Sequence, residues 1–190
     1  MADINYDLLQ SEIKEAAKKA FTAVRAEHPN EHFYAFALYS DDGAMTVEPA
    51  ANTQEGMERK AKEYGYNPIP PWFPWLIGEW AYEGEGGENF LKVYELLETE
   101  EDFDEDDSEE FEALRTRVFE SMIRALEDLE KEHFFGAGSA REAITLFCSI
   151  SDSDDAGQLE NESARRLNPP SVYEKFLNRL ESGGGPVTTA

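Results

Sequence analysis

The sequence predicts an α+β fold, in which a small sheet containing antiparallel strands packs against several α-helices. Three patterns predict it: a long N-terminal segment with helical spacing of apolar residues, two strand-like runs around a turn, and a buried strand near residue 150. The chain has 190 residues, which suits one domain. We expect that domain over residues 1–181 and a disordered glycine-rich tail over 182–190.

Helices are predicted wherever apolar residues recur at three- and four-residue spacing. The clearest case begins near Leu8 and ends before Pro29, because proline disfavours helical geometry in the residue before it. The other predicted helices cover, in chain order, about residues 53–64, 88–97, 108–135, 158–167 and 169–180.

Several boundaries of these helices carry their own signals. Asn52 and Glu55 fit a capping box for the second helix, and Gly65 is placed to terminate it. Asn168 followed by Pro169 predicts the start of the last helix, with asparagine as the N-cap and proline in the first turn.

Strands are predicted in two regions. Phe33–Tyr39 and Ala44–Pro49 flank an Asp-Asp-Gly turn and predict a β-hairpin. Ala143–Ile150 predicts a buried strand whose side chains alternate between two faces. One face carries Ile144, Leu146, Cys148 and Ile150, and the other carries Phe147.

The chain is strongly acidic, with 41 acidic and 17 basic residues and a formal net charge of −24. That charge repels nucleic acid and anionic lipid, so we expect neither as a partner, while it speeds encounter with a basic protein. Solubility is the alternative reason for the charge. A lone Cys148, no secretion signal and no apolar stretch long enough to span a bilayer predict a cytoplasmic protein.

The sequence predicts no metal, no cofactor and no catalytic residue, because each candidate motif is incomplete. The runs beginning at Asp102 and Asp152 open like calcium loops, but neither has the glutamate needed at the twelfth position. Three histidines and one cysteine form no zinc motif. Gly136–Ala140 lacks the final glycine and the preceding strand of a serine nucleophile elbow.

The acidic charge is concentrated in residues 98–112, which contain eleven acidic residues and no basic one. Phe103 and Phe111 lie within this run and could supply buried contact area while the carboxylates steer a basic partner. The alternative is an exposed loop leading into a helix N-terminus, where negative charge is favourable. The partner-binding residues that we predict here are Phe103, Asp104, Asp106 and Asp107.

A second candidate surface lies in residues 67–80, which hold four prolines and all three tryptophans. Aromatic residues spaced among prolines commonly pack beneath their loop as core. An exposed face at Trp72 or Trp75 would instead form a binding patch. We therefore name Trp72 and Trp75 as secondary partner-binding candidates.

Seven short motifs follow one another between about residues 8 and 180. They are Phe33–Gly43, Pro49–Thr53, Glu79-Trp80, Phe135-Gly136, Arg141, Ser151-Asp152 and Leu167-Asn168. In this order they resemble a bacterial family known only as a domain of unknown function. Its members look like the acidic SMI1/KNR4-like immunity proteins encoded beside secreted polymorphic toxins. The resemblance implies an acidic protein-binding module that neutralises a cognate toxin by occluding it, and it carries over no catalytic residues.

Two other functions are compatible with the sequence. A small hydrolase or transferase with an unfamiliar acidic site would use Glu79, Arg141 and Asp152, which are polar residues within these motifs. Their structural alternative is an arginine paired with a carboxylate and an aspartate that caps a turn. A structural or adaptor protein would need the acidity only for solubility. The sequence indicates a protein partner, for which a basic toxin domain is a candidate, but no oligomeric state.

Overall fold

Among the described residues, four strands form one mixed sheet: β1 (Phe33–Ser40), β2 (Glu48–Thr53), β3 (Tyr82–Glu83) and β4 (Thr145–Ile150). This computed structural model describes residues 4–98 and 108–181. The strand order is β3-β2-β1-β4, in which β1 and β4 are parallel and the other neighbours are antiparallel. The predicted α+β class is confirmed, although the sequence did not predict the two-residue strand β3.

Seven α-helices in the described ranges pack around this sheet. None of them is long and apolar enough to cross a membrane. They are α1 (Tyr6–Glu27), α2 (Gln54–Glu63), α3 (Leu91–Leu97), α4 (Ser108–Lys131), α5 (Ser139–Glu142), α6 (Ala156–Leu167) and α7 (Pro170–Leu177).

The two faces of the sheet enter separate hydrophobic clusters. Phe36 and Leu146 point into the larger cluster, which is completed by α1, α3 and α4. Ala37 and Phe147 point the other way, against α2, residues 67–80 and α7. The predicted alternation along β4 is thereby confirmed, because Leu146 and Phe147 enter different clusters.

The hairpin prediction was correct for the pairing of β1 with β2 and wrong for both ends of the second strand. β2 runs over Glu48–Thr53, whereas the sequence suggested Ala44–Pro49. The intervening residues form a loop around Asp41, whose carboxylate accepts hydrogen bonds from the Met45 amide and the Thr46 hydroxyl. Ala44 has a φ of 55°, which is incompatible with an extended strand.

Both cap predictions that relied on asparagine were wrong. Thr53 caps α2, since its hydroxyl accepts from the Gly56 amide, and Asn52 instead belongs to β2. Asn168 ends α6, and Pro169 takes the N-cap position of α7. Both asparagine side chains form hydrogen bonds with another part of the chain. The Asn52 amide donates to the Tyr34 hydroxyl, and the Asn168 amide donates to the Leu146 carbonyl. The prediction that Gly65 follows α2 in the left-handed region is confirmed by its φ of 72°.

Candidate protein-binding surface

The tryptophan segment, residues 67–80, is fastened to the sheet through one backbone carbonyl. The Tyr34 hydroxyl of β1 donates to the Pro74 oxygen at 2.7 Å, and the Trp80 indole donates to the same oxygen at 3.0 Å from within the segment. Trp80 is 2% exposed and packs edge-on against Phe147 of β4. The segment is therefore an anchored part of the second hydrophobic cluster.

Trp75 lies on the inner side of this segment. Its ring meets Tyr34 and Phe176 edge-on, with centroid distances of 5.8 and 5.3 Å, and 7% of the residue is exposed. Such burial leaves little of the side chain for a partner to contact. Trp75 is therefore part of the core, which was the alternative interpretation of this segment. We do not include it in the surface defined below.

Trp72 lies on the outer side and is 42% exposed. Its ring packs edge-on against Tyr66, and Tyr66 stacks on Tyr64, which is 53% exposed. We call Tyr64, Tyr66 and Trp72 the aromatic patch. Sequence reasoning identified Trp72 but missed both tyrosines, although the Tyr-Gly-Tyr sequence after α2 is the signal that could have indicated them.

A buried ring supports the aromatic patch from beneath. Phe73 is 2% exposed, and its ring lies 6.0 Å from Tyr64, 5.2 Å from Tyr66 and 5.9 Å from Trp72, between centroids. Because all three rings share this support, they hold a fixed arrangement before any partner arrives. Preorganised aromatic surface loses little conformational entropy on binding and is a common source of affinity.

Glu79 lies at the border of the aromatic patch. It forms a hydrogen bond with the Tyr64 hydroxyl, and this hydrogen bond raises the pKa of Tyr64. The contact assigns Glu79 to the same surface and gives the patch an acidic edge. Aromatic contacts beside a carboxylate suit a partner that presents apolar and basic groups together.

The principal predicted binding residues, Phe103, Asp104, Asp106 and Asp107, lie outside the described residues. The structure describes the two helices that flank their segment. α3 ends at Leu97, and α4 begins at Ser108 with Glu109 and Glu110 in its first turn, where the helix dipole favours negative charge.

Arg141 is a structural residue. It is 4% exposed, and its guanidinium donates to the Glu130 carboxylate and to the carbonyls of Ile144 and Leu167, at 2.7, 2.6 and 2.6 Å. Asn168 supplies a further acceptor at 3.3 Å. These bonds tie α4 and α6 to the start of β4, so the side chain is occupied by the fold.

The other residues considered for catalysis lie in ordinary environments. Asp152 is exposed in the turn after β4, where its φ is 54°. Cys148 is fully buried in the larger cluster, and burial raises the pKa of its thiol. A buried, protonated thiol is a poor nucleophile.

One group of side chains in the described ranges has the composition of a metal site. The ligand atoms of Glu27, His28 and Glu85 lie within 4.8 Å of one another. The His28 ring stacks on Tyr82, and its Nε2 lies 3.8 Å from a Glu85 oxygen. These two contacts account for the positions of His28 and Glu85, and we assign the group no metal.

Residues 13–169 match the family model described as a domain of unknown function, DUF4303. No curated protein and no solved structure matches the chain at a significant level.

Proposed function

The chain belongs to the DUF4303 family, and on that premise we propose that it is an acidic protein-binding module that acts as an immunity protein. In this proposal it binds one cognate secreted toxin and blocks it by occlusion. The observation that carries the proposal is the aromatic patch, in which Tyr64 and Trp72 are exposed and all three rings contact buried Phe73. An exposed aromatic cluster in an ordered loop is typical of a protein-binding surface.

Charge supports a basic partner. With a formal net charge of −24, long-range attraction raises the rate at which a cationic protein encounters this one. Buried aromatic contacts then govern how slowly the complex dissociates. The proposal therefore gives the two predicted surfaces different tasks: the acidic run over residues 98–112 accelerates association, and the aromatic patch retains the partner.

The test uses the protein encoded by the neighbouring gene, purified as an inactive or inhibited toxin domain. Size-exclusion chromatography and calorimetry should give a one-to-one complex, and titration of active toxin with this chain should end its activity at equal concentrations. A neighbouring-gene product that shows no binding at micromolar concentration would contradict the proposed function. A complex in which the toxin remains fully active would contradict occlusion.

A further inference from the structure

A groove with a volume of about 320 Å³ separates α4 from α6. We call it the α4–α6 groove. Its floor is apolar and consists of Phe119 and Ile123 from α4, Ile150 at the end of β4, and Leu159 from α6. The size and apolar floor suit a single long side chain inserted from outside.

The rim of the α4–α6 groove is acidic. It carries three exposed carboxylates, which belong to Glu112 on α4, Asp155 just before α6 and Glu162 on α6. Glu112 also belongs to the acidic run over residues 98–112, so the groove begins where that run enters α4. The Arg115 guanidinium lies 2.8 Å from Glu112 and 4.0 Å from Asp155 and offsets part of this charge. Three carboxylates against one cation still leave the rim net negative, which disfavours an anion.

Arg115 adds a second, independent feature. It lines the groove and is 8% exposed, yet its Nε has no hydrogen-bond partner within the part of the chain that the structure describes. The two terminal nitrogens are engaged, by Glu112 at 2.8 Å and Asp42 at 3.0 Å. A buried N–H without an acceptor is costly, and a bound group that supplied an acceptor would recover that cost.

We propose that the α4–α6 groove binds a lysine side chain of a protein partner. The aliphatic stem of lysine would cover the apolar floor while its ammonium group meets the acidic rim. A backbone carbonyl of the same segment would accept from the Arg115 Nε. The inference rests on the proposed function in so far as the partner is a protein, and it adds the residue type that the partner presents.

The first test needs no toxin. Two blocked pentapeptides, Ala-Ala-Lys-Ala-Ala and the same peptide with norleucine in place of lysine, are titrated into the intact protein at low salt and followed by NMR of its methyl groups. The lysine peptide should shift the signals of Ile123, Ile150 and Leu159 and should bind about tenfold more tightly than the neutral peptide. Equal binding of both peptides, or shifts that avoid the groove, would overturn the inference.

Two variants separate charge from shape. Asp155→Asn combined with Glu162→Gln removes two rim charges and should abolish the preference for lysine, whereas Glu58→Gln combined with Glu95→Gln removes two exposed charges elsewhere and should preserve it. Gln158→Trp fills the mouth of the groove and should prevent binding of either peptide. Thermal melts must show that each variant folds like the parent, and a preference for lysine that survives both groove variants would contradict the inference.

Failure of the groove inference and failure of the proposed function give different results. If the Gln158→Trp protein binds the neighbouring toxin as tightly as the parent does, the groove inference is wrong and the immunity function stands. If the lysine peptide occupies the groove but the toxin does not bind at all, the immunity function is wrong and the groove inference stands.

Discussion

The Tyr66 ring lies edge-on to the Trp72 ring, with 5.9 Å between their centroids. Trp72 is thus held at the surface by a neighbour that itself rests on buried Phe73. Truncation of Trp72 should therefore affect the binding of a partner more than it affects the stability of the fold.

We expect Trp72→Ala to weaken toxin binding at least tenfold, mainly through faster dissociation, because an exposed tryptophan supplies contact area to a partner. The free energy of unfolding should change by less than about 1 kcal/mol, since 42% of the residue is already exposed. Biolayer interferometry and urea denaturation measure the two effects.

Leu91→Ala is the matched control for Trp72→Ala. Leu91 is 61% exposed, but it lies on α3, which packs on the opposite face of the sheet. Its replacement should leave dissociation unchanged. Equal losses from the two substitutions would mean that the aromatic patch has no special role.

Trp80→Ala should show the opposite pattern. Trp80 is 2% exposed and packs on Phe147 of β4, so its truncation opens a cavity and removes the main aromatic contact between the end of the tryptophan segment and the sheet. The expected loss of stability is about 3–5 kcal/mol. Urea denaturation measures it, and a loss below about 1 kcal/mol would show that the segment is not anchored as described.

Arg141→Met tests whether this arginine holds the fold or serves a reaction. The substitution removes the donors to two backbone carbonyls and leaves Glu130 without its partner. We expect a loss of about 3–5 kcal/mol in the free energy of unfolding, measured by urea denaturation. A stable Arg141→Met protein would reopen the possibility that Arg141 belongs to a catalytic site.

The ionisation of Glu31 makes the stability of the folded protein depend on pH in the acidic range. Burial opposes its ionisation, but hydrogen bonds from Arg59, Thr53 and Tyr82 outweigh burial and lower the pKa to about 2 from an ordinary 4.5. A carboxyl group with a depressed pKa contributes stability above its unfolded pKa, and that contribution is lost as the pH falls from about 4.5 toward 2.

Glu31→Gln should therefore lower stability at neutral pH and reduce the further loss between about pH 5 and pH 3. Urea denaturation at a series of pH values measures this difference, with the exposed Glu58→Gln as the control. Parallel stability curves for the parent and Glu31→Gln would show that Glu31 is not the group responsible.

Regular periodicity made much of the fold predictable. α1 and β4 have apolar residues at 3.6- and two-residue spacing, and the structure places those residues in the clusters that the pattern indicates. The capping asparagines could not be predicted correctly, because Asn52 and Asn168 form hydrogen bonds with residues distant in sequence. Asn168 binds both backbone groups of Leu146, which lies 22 residues away.

The candidate surface was less predictable than the fold. The composition of residues 67–80 indicated a folded aromatic loop, but only tertiary contacts determine that Trp75 faces the core and Trp72 faces outward. The α4–α6 groove was not predicted at all, since its floor and rim come from α4, β4 and α6, whose side chains only the tertiary packing brings together. The acidic run was visible from composition alone, and its role in binding stays a prediction.

The most direct test compares how fast the neighbouring toxin associates with the parent and with a triple variant. The variant carries Asp104→Asn, Asp106→Asn and Asp107→Asn, and the rates are measured by stopped flow at low and high salt. The parent should associate rapidly at low salt, and its association rate should fall steeply as salt is added. The triple variant should associate more slowly and should show a weaker dependence on salt. Identical rates for the two proteins at both salt concentrations would contradict a charge-steered binding face.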